Sequence, residues 1–249
     1  MQPPLPRRRA AHTMRWAIVS LLACLFMLPG FSLGSHRSIV DSEKEAAIAA
    51  LLARMNQAQE TLRTLRAELV ETRSLSLLAE DEVLTGTLSF EKPGRVRWEY
   101  RTPEKKIYVL ADGELTGWLP SEMRVEKLDL GRHESRIRRL VALGQDEASL
   151  RREFRIGAVL GVGGEVEHLV LVPRSRRIRK KVRKVELWID ELTALPKRIV
   201  YETGEGDRVD LVLRKLVVNP RLVAETFAID VPEGCEVVEG TSSFGFGAR

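Results

Sequence analysis

Cysteine and histidine are scarce in this chain, and their scarcity removes whole classes of chemistry. Two cysteines, Cys24 and Cys235, and four histidines are spread over 249 residues. No His-x-His pair, cysteine pair or acidic cluster with metal-ligand spacing occurs, so no metal site is expected. No nucleophile elbow is present. Gly161-Val162-Gly163-Gly164 lacks the order and the strand–helix setting of a dinucleotide loop and reads as a hairpin turn. Asp146 and Glu147 stand together where a helix begins, and the helix dipole accounts for them. The expectation is a protein that is not an enzyme and holds no cofactor.

Long apolar runs are equally few. One spans residues 16–28, broken only by Ser20. Arg7, Arg8, Arg9 and Arg15 precede or open it, no acid occurs before Asp41, and Pro29 and Gly30 end it. This is the layout of a secretory signal, expected to cover residues 1–34, with Met14 as an alternative start. The run is too short for a membrane-spanning helix. Leu21-Leu22-Ala23-Cys24 matches a lipoprotein cleavage box, but the apolar run continues past Cys24 where a polar linker would follow a lipidated cysteine. Cleavage would leave Cys235 alone, without a disulfide partner, as a semi-buried apolar residue.

The leader also carries the charge excess. Residues 1–34 hold four arginines and no acid, so their removal leaves 36 basic against 35 acidic residues, and the net charge falls from +5 to about +1. Nucleic acid is therefore not an expected partner. What remains is local: Arg174, Arg176, Arg177, Arg179, Lys180, Lys181, Arg183 and Lys184 occur with no acid among them. A solvated hairpin arm is the simple reading; a docking patch for an acidic partner or an anionic surface is the functional one.

Hydropathy periods place the elements. Residues 42–64 read as a helix with Ser42 as cap and Ile48, Leu51, Leu52 and Met55 on one face. A period of two begins at Leu65 and returns at 83–91, 95–101, 107–110, 115–119 and 123–128. Lys92-Pro93-Gly94 and Asp112-Gly113 supply turn chemistry. Residues 134–154 break the rhythm with helical spacing, and strands resume at 159–160, 166–172, 184–190, 196–201 and 208–217. Ten or eleven strands in an antiparallel meander are expected, in one domain over 35–240, with a frayed tail at 241–249.

Residues 86–119 hold the densest pattern. Val96, Trp98 and Tyr100 alternate with Arg95, Arg97 and Glu99, and Tyr108 and Trp118 follow on neighbouring strands. Aromatics on strands are ordinarily core; on a curved sheet the same residues can form a wall for an apolar ligand.

In order along the chain, the helix running into Leu65–Glu71, Gly86–Phe90, Lys92-Pro93-Gly94-x-x-x-Trp98, Pro103, Asp112-Gly113, Leu171-x-Pro173, Leu195-Pro196, Asn219 and Pro232-x-Gly234-x-x-Val237 resemble the LolA family of periplasmic lipoprotein carriers. The resemblance implies an open, highly curved antiparallel half-barrel, mainly β with α, with lid helices over its concave face, here 135–154. It implies a monomer that shields the acyl chains of lipoproteins between an inner-membrane ABC-type transporter and an outer-membrane acceptor. Leu69, Leu88, Phe90, Trp98, Tyr100, Tyr108, Trp118 and Met123 become the candidate lining. In that family an Arg commonly precedes the Pro after the second long strand and bonds to the lid; Lys92 holds that place here, and Leu69 stands where an aromatic is usual. The basic arm becomes a docking patch for the transporter. A carrier of another lipid (glycolipid or isoprenoid-like), an outer-membrane acceptor and a lipid-sensing domain are the alternatives.

Overall fold

The computed structural model describes residues 39–76, 80–129, 147–161 and 165–239. The expected leader at 1–34, the first part of the expected lid at 135–146 and the tail at 241–249 lie outside them.

The first element is a helix, α1, Ile39–Thr61. Ile48, Leu52 and Met55 recur at helical spacing and are buried, with half-buried Leu51 beside them. The helix starts three residues before Ser42, so Ser42 lies within it and is not its cap. Its end is held from a distance. Asn219 Oδ1 accepts the Arg63 and Thr64 amides at 2.7 and 3.2 Å, and Asn219 Nδ2 donates to the Thr61 carbonyl at 3.1 Å. Orphan groups at the helix exit are thus satisfied by one side chain, and the chain turns directly into a strand.

Period-two patterning then builds twelve strands. The first six are β1 Thr64–Ser74, β2 Glu82–Glu91, β3 Arg95–Thr102, β4 Lys106–Ala111, β5 Glu114–Leu119 and β6 Arg124–Asp129. A helix, α2, Glu147–Glu153, leads into β7 Phe154–Leu160 and β8 Val166–Pro173. A one-turn helix, α3, Arg176–Arg179, precedes β9 Val182–Ile189, β10 Pro196–Thr203, β11 Arg208–Val218 and β12 Glu236–Glu239. They form a single sheet in the order β12-β6-β5-β4-β3-β2-β1-β11-β10-β9-β8-β7. Its two edges, β12 and β7, do not meet, so the sheet is open, as the half-barrel expectation requires.

Three local readings change. β12 is an additional strand, paired in parallel with β6, where a purely antiparallel meander was expected. Phe154 opens β7 instead of closing a helix, because Phe154, Ile156 and Ala158 carry the inner-face alternation. The basic arm contains α3, whose Ile178 is buried and whose start is capped by Ser175.

Burial divides the sheet by face. The inner face carries α1. Among the described residues it carries two clusters: one on β7–β11, filled by Ile48, Leu52 and Met55 of α1, and one on β1–β6 with Leu195 and Leu213, which the helix end reaches through Ala58 and Leu62. On the outer face, Ile107, Val109, Trp118 and Val125 are covered by the segment after β11, through Leu222, Phe227 and Ile229. Arg97 pins that segment by donating to the Ala228 carbonyl at 2.8 Å.

Asn219 has positive φ, 56°, where Asn is tolerated and Ala is strained. Asn219→Ala removes three side-chain hydrogen bonds and adds that strain. We expect a loss of about 2–3 kcal/mol in urea unfolding; a loss below about 0.5 kcal/mol would show that the helix exit is held by other contacts.

Candidate functional site

Cross-strand register sorts the inner face of β1–β6 into transverse rows. Leu65 pairs with Phe90, Phe90 with Val96, Val96 with Leu110, Leu110 with Leu115 and Leu115 with Leu128. This first row is wholly apolar, and every member is buried. The next row runs Ala67, Leu88, Trp98, Tyr108, Gly117 and Glu126. The third begins Leu69, Gly86, Tyr100 and Lys106. Beyond it, Glu71 pairs with Leu84 and Arg73 with Glu82. Polarity therefore rises along the strands, from an aliphatic end at the β2–β3 turn to a charged end at the β1–β2 connection.

Gly86 permits the close approach of β2 and β3 in the third row, since a Cβ there would strike the Glu99 carbonyl. Tyr100, opposite Gly86, then reaches across to β1.

The charged end is built as a network. Glu71 is fully buried and Arg73 is 2% exposed. Arg73 Nε donates to Glu71 Oε1 at 2.6 Å, Tyr100 OH donates to Glu71 Oε2 at 2.7 Å, and Glu82 stands 3.5 Å from Arg73. Burial acts to lower the Arg73 pKa, but the Glu71 charge, with Tyr100, the Glu71 hydrogen bond and Glu82 adding to it, holds the guanidinium well above its ordinary range. Burial, reinforced by Glu71, pushes the Tyr100 phenol well up. Burial and then the Glu126 charge raise Tyr108 in the same way. Both phenols therefore stay neutral and keep their protons at physiological pH.

The eight candidate lining residues separate on this map. Leu69, Leu88, Phe90, Trp98, Tyr100 and Tyr108 share the inner face, and Tyr100 and Tyr108 meet edge to face with centroids 6.3 Å apart. Trp118 does not join them: it pairs with Ile107 and Val125 on the outer face, beneath Phe227. Met123 is 46% exposed and sits in the left-handed conformation that ends a turn at 120–122, outside β6. Glu71 and Arg73 are missing from the candidate set, although Leu65, Ala67 and Leu69 continue at period two into both.

Lys92 is placed at the junction of wall and helix. Its ammonium donates to the Gln59 carbonyl in the last turn of α1, and its amide donates to the Arg63 carbonyl at 2.8 Å. A cation there complements the negative end of the helix. Desolvation, and then Arg63, lower the Lys92 pKa, with Glu60 opposing. Its partner is thus the N-terminal helix; residues 135–146 of the expected lid lie outside the described residues. The remainder of that lid, α2, packs Leu150 against the α1 cluster, and Arg151 pairs with Glu45 of α1 at 2.5 Å.

In the basic arm, Arg174, Arg179 and Arg183 are engaged by backbone, Arg183 donating to the Gly204 carbonyl at 2.8 Å. Arg174 Nε donates to the Arg151 and Phe154 carbonyls at 3.0 and 3.1 Å, and Arg179 donates to the Pro173 and Arg174 carbonyls, both at 2.6 Å. Arg176, Arg177, Lys180 and Lys181 are exposed beside them. Among the described residues, no group of three or more His, Cys, Asp or Glu could hold a metal ion.

Comparison with known proteins bears on this arrangement. Residues 60–230 match the family model described as outer membrane lipoprotein carrier protein LolA. An outer-membrane lipoprotein carrier protein of Pseudomonas paraeruginosa is 24% identical over 210 residues, covering 84% of this chain and 95% of the relative. A namesake in Nitrosomonas europaea is 24% identical over 164 residues, covering 62% and 72%. Among solved structures, an uncharacterized conserved protein from Thermus thermophilus has 16% identity and a TM-score of 0.48, covering 78% of this chain and 99% of that one. A LolA superfamily protein from Nitrosomonas europaea has 12% identity and a TM-score of 0.39, covering 73% and 97%.

The Glu71 network gives a direct test. Glu71→Ala leaves Arg73 buried without its carboxylate and should cost about 3–5 kcal/mol. Tyr100→Phe removes one bond to a charged acceptor and should cost about 1.5–3 kcal/mol. Urea midpoints of both variants check the order; equal small losses would mean that the network does not hold the β1–β3 wall.

Proposed function

The chain belongs to the LolA family, and on that premise we propose that it is a periplasmic carrier of lipoprotein acyl chains, working by burial without catalysis. The observation that supports this reading most is the inner face of β1–β6. It presents a continuous apolar row and a Trp–Tyr row that, among the described residues, α1 meets only through Ala58, with Leu62 just past its end, while the body of the helix occupies β7–β11. Acyl chains fit such a wall, because each CH₂ removed from water contributes roughly 0.8 kcal/mol.

Leu69, Leu88, Phe90, Trp98, Tyr100 and Tyr108 are the proposed lining. These side chains are mostly buried against the chain's own groups. Cargo therefore exchanges one set of apolar contacts for another, which keeps net affinity moderate and allows transfer to an acceptor that binds the acyl chains better. Lys92 is proposed as a latch between wall and helix: its bond to the Gln59 carbonyl must yield if α1 swings away. The exposed cations Arg176, Arg177, Lys180 and Lys181 are proposed to dock on an inner-membrane transporter, and delivery to an outer-membrane acceptor follows.

The purified chain, incubated with spheroplasts, should release a lipoprotein into the soluble fraction. Trp98→Glu, which places a carboxylate on the half-buried centre of the wall, should reduce release at least tenfold while circular dichroism stays unchanged. No release by the native chain would sink the carrier reading. Lys92→Met should speed transfer of bound lipoprotein to an acceptor severalfold in a stopped-flow assay; an unchanged rate would remove Lys92 from the release step.

A further inference from the structure

We propose that a groove on the outer face of β4–β6 is the seat of a segment of this same chain, with Phe244 and Phe246 on its apolar floor and Arg249 against its acidic rim. The groove holds about 380 Å³, within the roughly 300–1,000 Å³ of ligand sites. Val109 and Val125 make its floor, and Phe227, Ile229 and Val231 of the covering segment make its wall. It lies on the side of the sheet away from the Leu65–Leu128 row. Val231 is still 37% exposed, so the wall offers apolar surface that the described residues do not cover. The wall is fixed in place, since Arg97 donates to the Ala228 carbonyl within it at 2.8 Å.

Topology selects the occupant. β12 runs parallel to β6, with Val237 beside Val125 and Glu239 beside Lys127. Val125 and Lys127 both line the groove, so the chain leaves β12 at the groove's flank. Residues 240–249, which lie outside the described residues, contain two of the chain's seven phenylalanines and no acid. That share of aromatic residues calls for an apolar seat. Four extended residues, 240–243, reach about 13 Å at roughly 3.3 Å each, and two strand spacings are about 10 Å, so Phe244 reaches as far as β4. Phe244 and Phe246 stand two apart, and in an extended segment both rings meet one surface.

Charge agrees with this choice. Asp112 and Glu114 line the groove, and Asp230 is exposed on its wall. Arg95 stands 3.6 Å from Asp112 and Lys127 3.4 Å from Glu114. Three acids stand against two cations, so one further cation is accommodated and a further acid is not. Arg249 is the single charged side chain in 240–249. The contact need not be strong: a short tether gives an effective concentration of roughly mM, so a mM affinity already fills about half of the grooves.

Cysteine pairing in the full chain tests the seat. In a Cys24→Ser, Cys235→Ser background, Thr116→Cys in the groove is combined with Gly245→Cys between the two phenylalanines. Its internal disulfide should form at least about tenfold faster than when Glu202→Cys, on the outer face of β10, replaces Thr116→Cys. Adding Phe244→Ser and Phe246→Ser should bring the fast pair down to that control rate while circular dichroism stays unchanged. Equal rates for the two pairs, or a fast pair indifferent to the phenylalanines, overturns the proposal. Disulfide-linked dimers in place of the internal bond seat the segment in a second copy and overturn it as well. Should the cysteine variants fail to fold, methyl NMR of the native chain decides: the Ile229 and Val231 methyls should show cross-relaxation to phenylalanine ring protons that Phe244→Ser and Phe246→Ser together remove, and unchanged cross-relaxation overturns the seat.

Discussion

The structure turns on a mismatch of widths. Twelve strands at about 4.8 Å spacing make a sheet roughly 50 Å across, whereas one helix with its side chains is about 10–12 Å wide. A sheet of that width cannot bury its inner face under α1 alone. The cluster on the wall extends across the seam with β11 through Leu213, which pairs with Leu69, and takes in Leu195. On the outer face the segment after β11 covers Trp118 and its neighbours. The helix settles on β7–β11, and the wall on β1–β6 is where, on the reading proposed, apolar cover is exchanged. Function, on the reading proposed, follows from that leftover area.

Polarity within the wall comes from the same geometry. A strand of eleven residues on a half-buried face must put every second side chain inward, including those near its end. In β1 that sequence is Leu65, Ala67, Leu69, Glu71 and Arg73. The last two are tolerated because they are paired, Arg73 with Glu71 and Glu71 with Tyr100 among their partners, in the manner required of buried charge. The network is thus a consequence of strand length as well as a chemical feature. It also stiffens the wall, since β1, β2 and β3 all contribute to it.

Much of this is legible in the residues. The alternation in β3 places Val96, Trp98 and Tyr100 on one face and Arg95, Arg97 and Glu99 on the other, and register agrees. Trp118 falls on the wrong face when its aromatic character is weighed above its phase: Leu115, Gly117 and Leu119 alternate inward, which sends Trp118 out with Glu114 and Thr116. Only the later outer-face cover, about a hundred residues downstream, makes an outward Trp favourable, and no local pattern announces it. β12 is hidden for a similar reason. Its pairing with β6 is parallel and depends on where the covering segment delivers it. Glu71 and Arg73 are readable from the period of two, but charges at a strand end suggest fraying unless their partners are known.

The junction at the end of α1 ties the helix to the wall. Asn219 from the end of β11 and Lys92 from the β2–β3 turn both bind carbonyls in the last turn of α1, at Thr61 and Gln59. The helix exit is therefore fastened to both sides of β1. Asn219 also accepts two amides of the linker, so its hold fixes the start of β1 in register. Lys92 makes one bond through a flexible stem and carries a charge that burial disfavours. Of the two fasteners it is the one that can let go without disturbing the sheet. On the reading proposed, the helix remains attached at one point and yields at another, and the residue types at 219 and 92 supply that inequality.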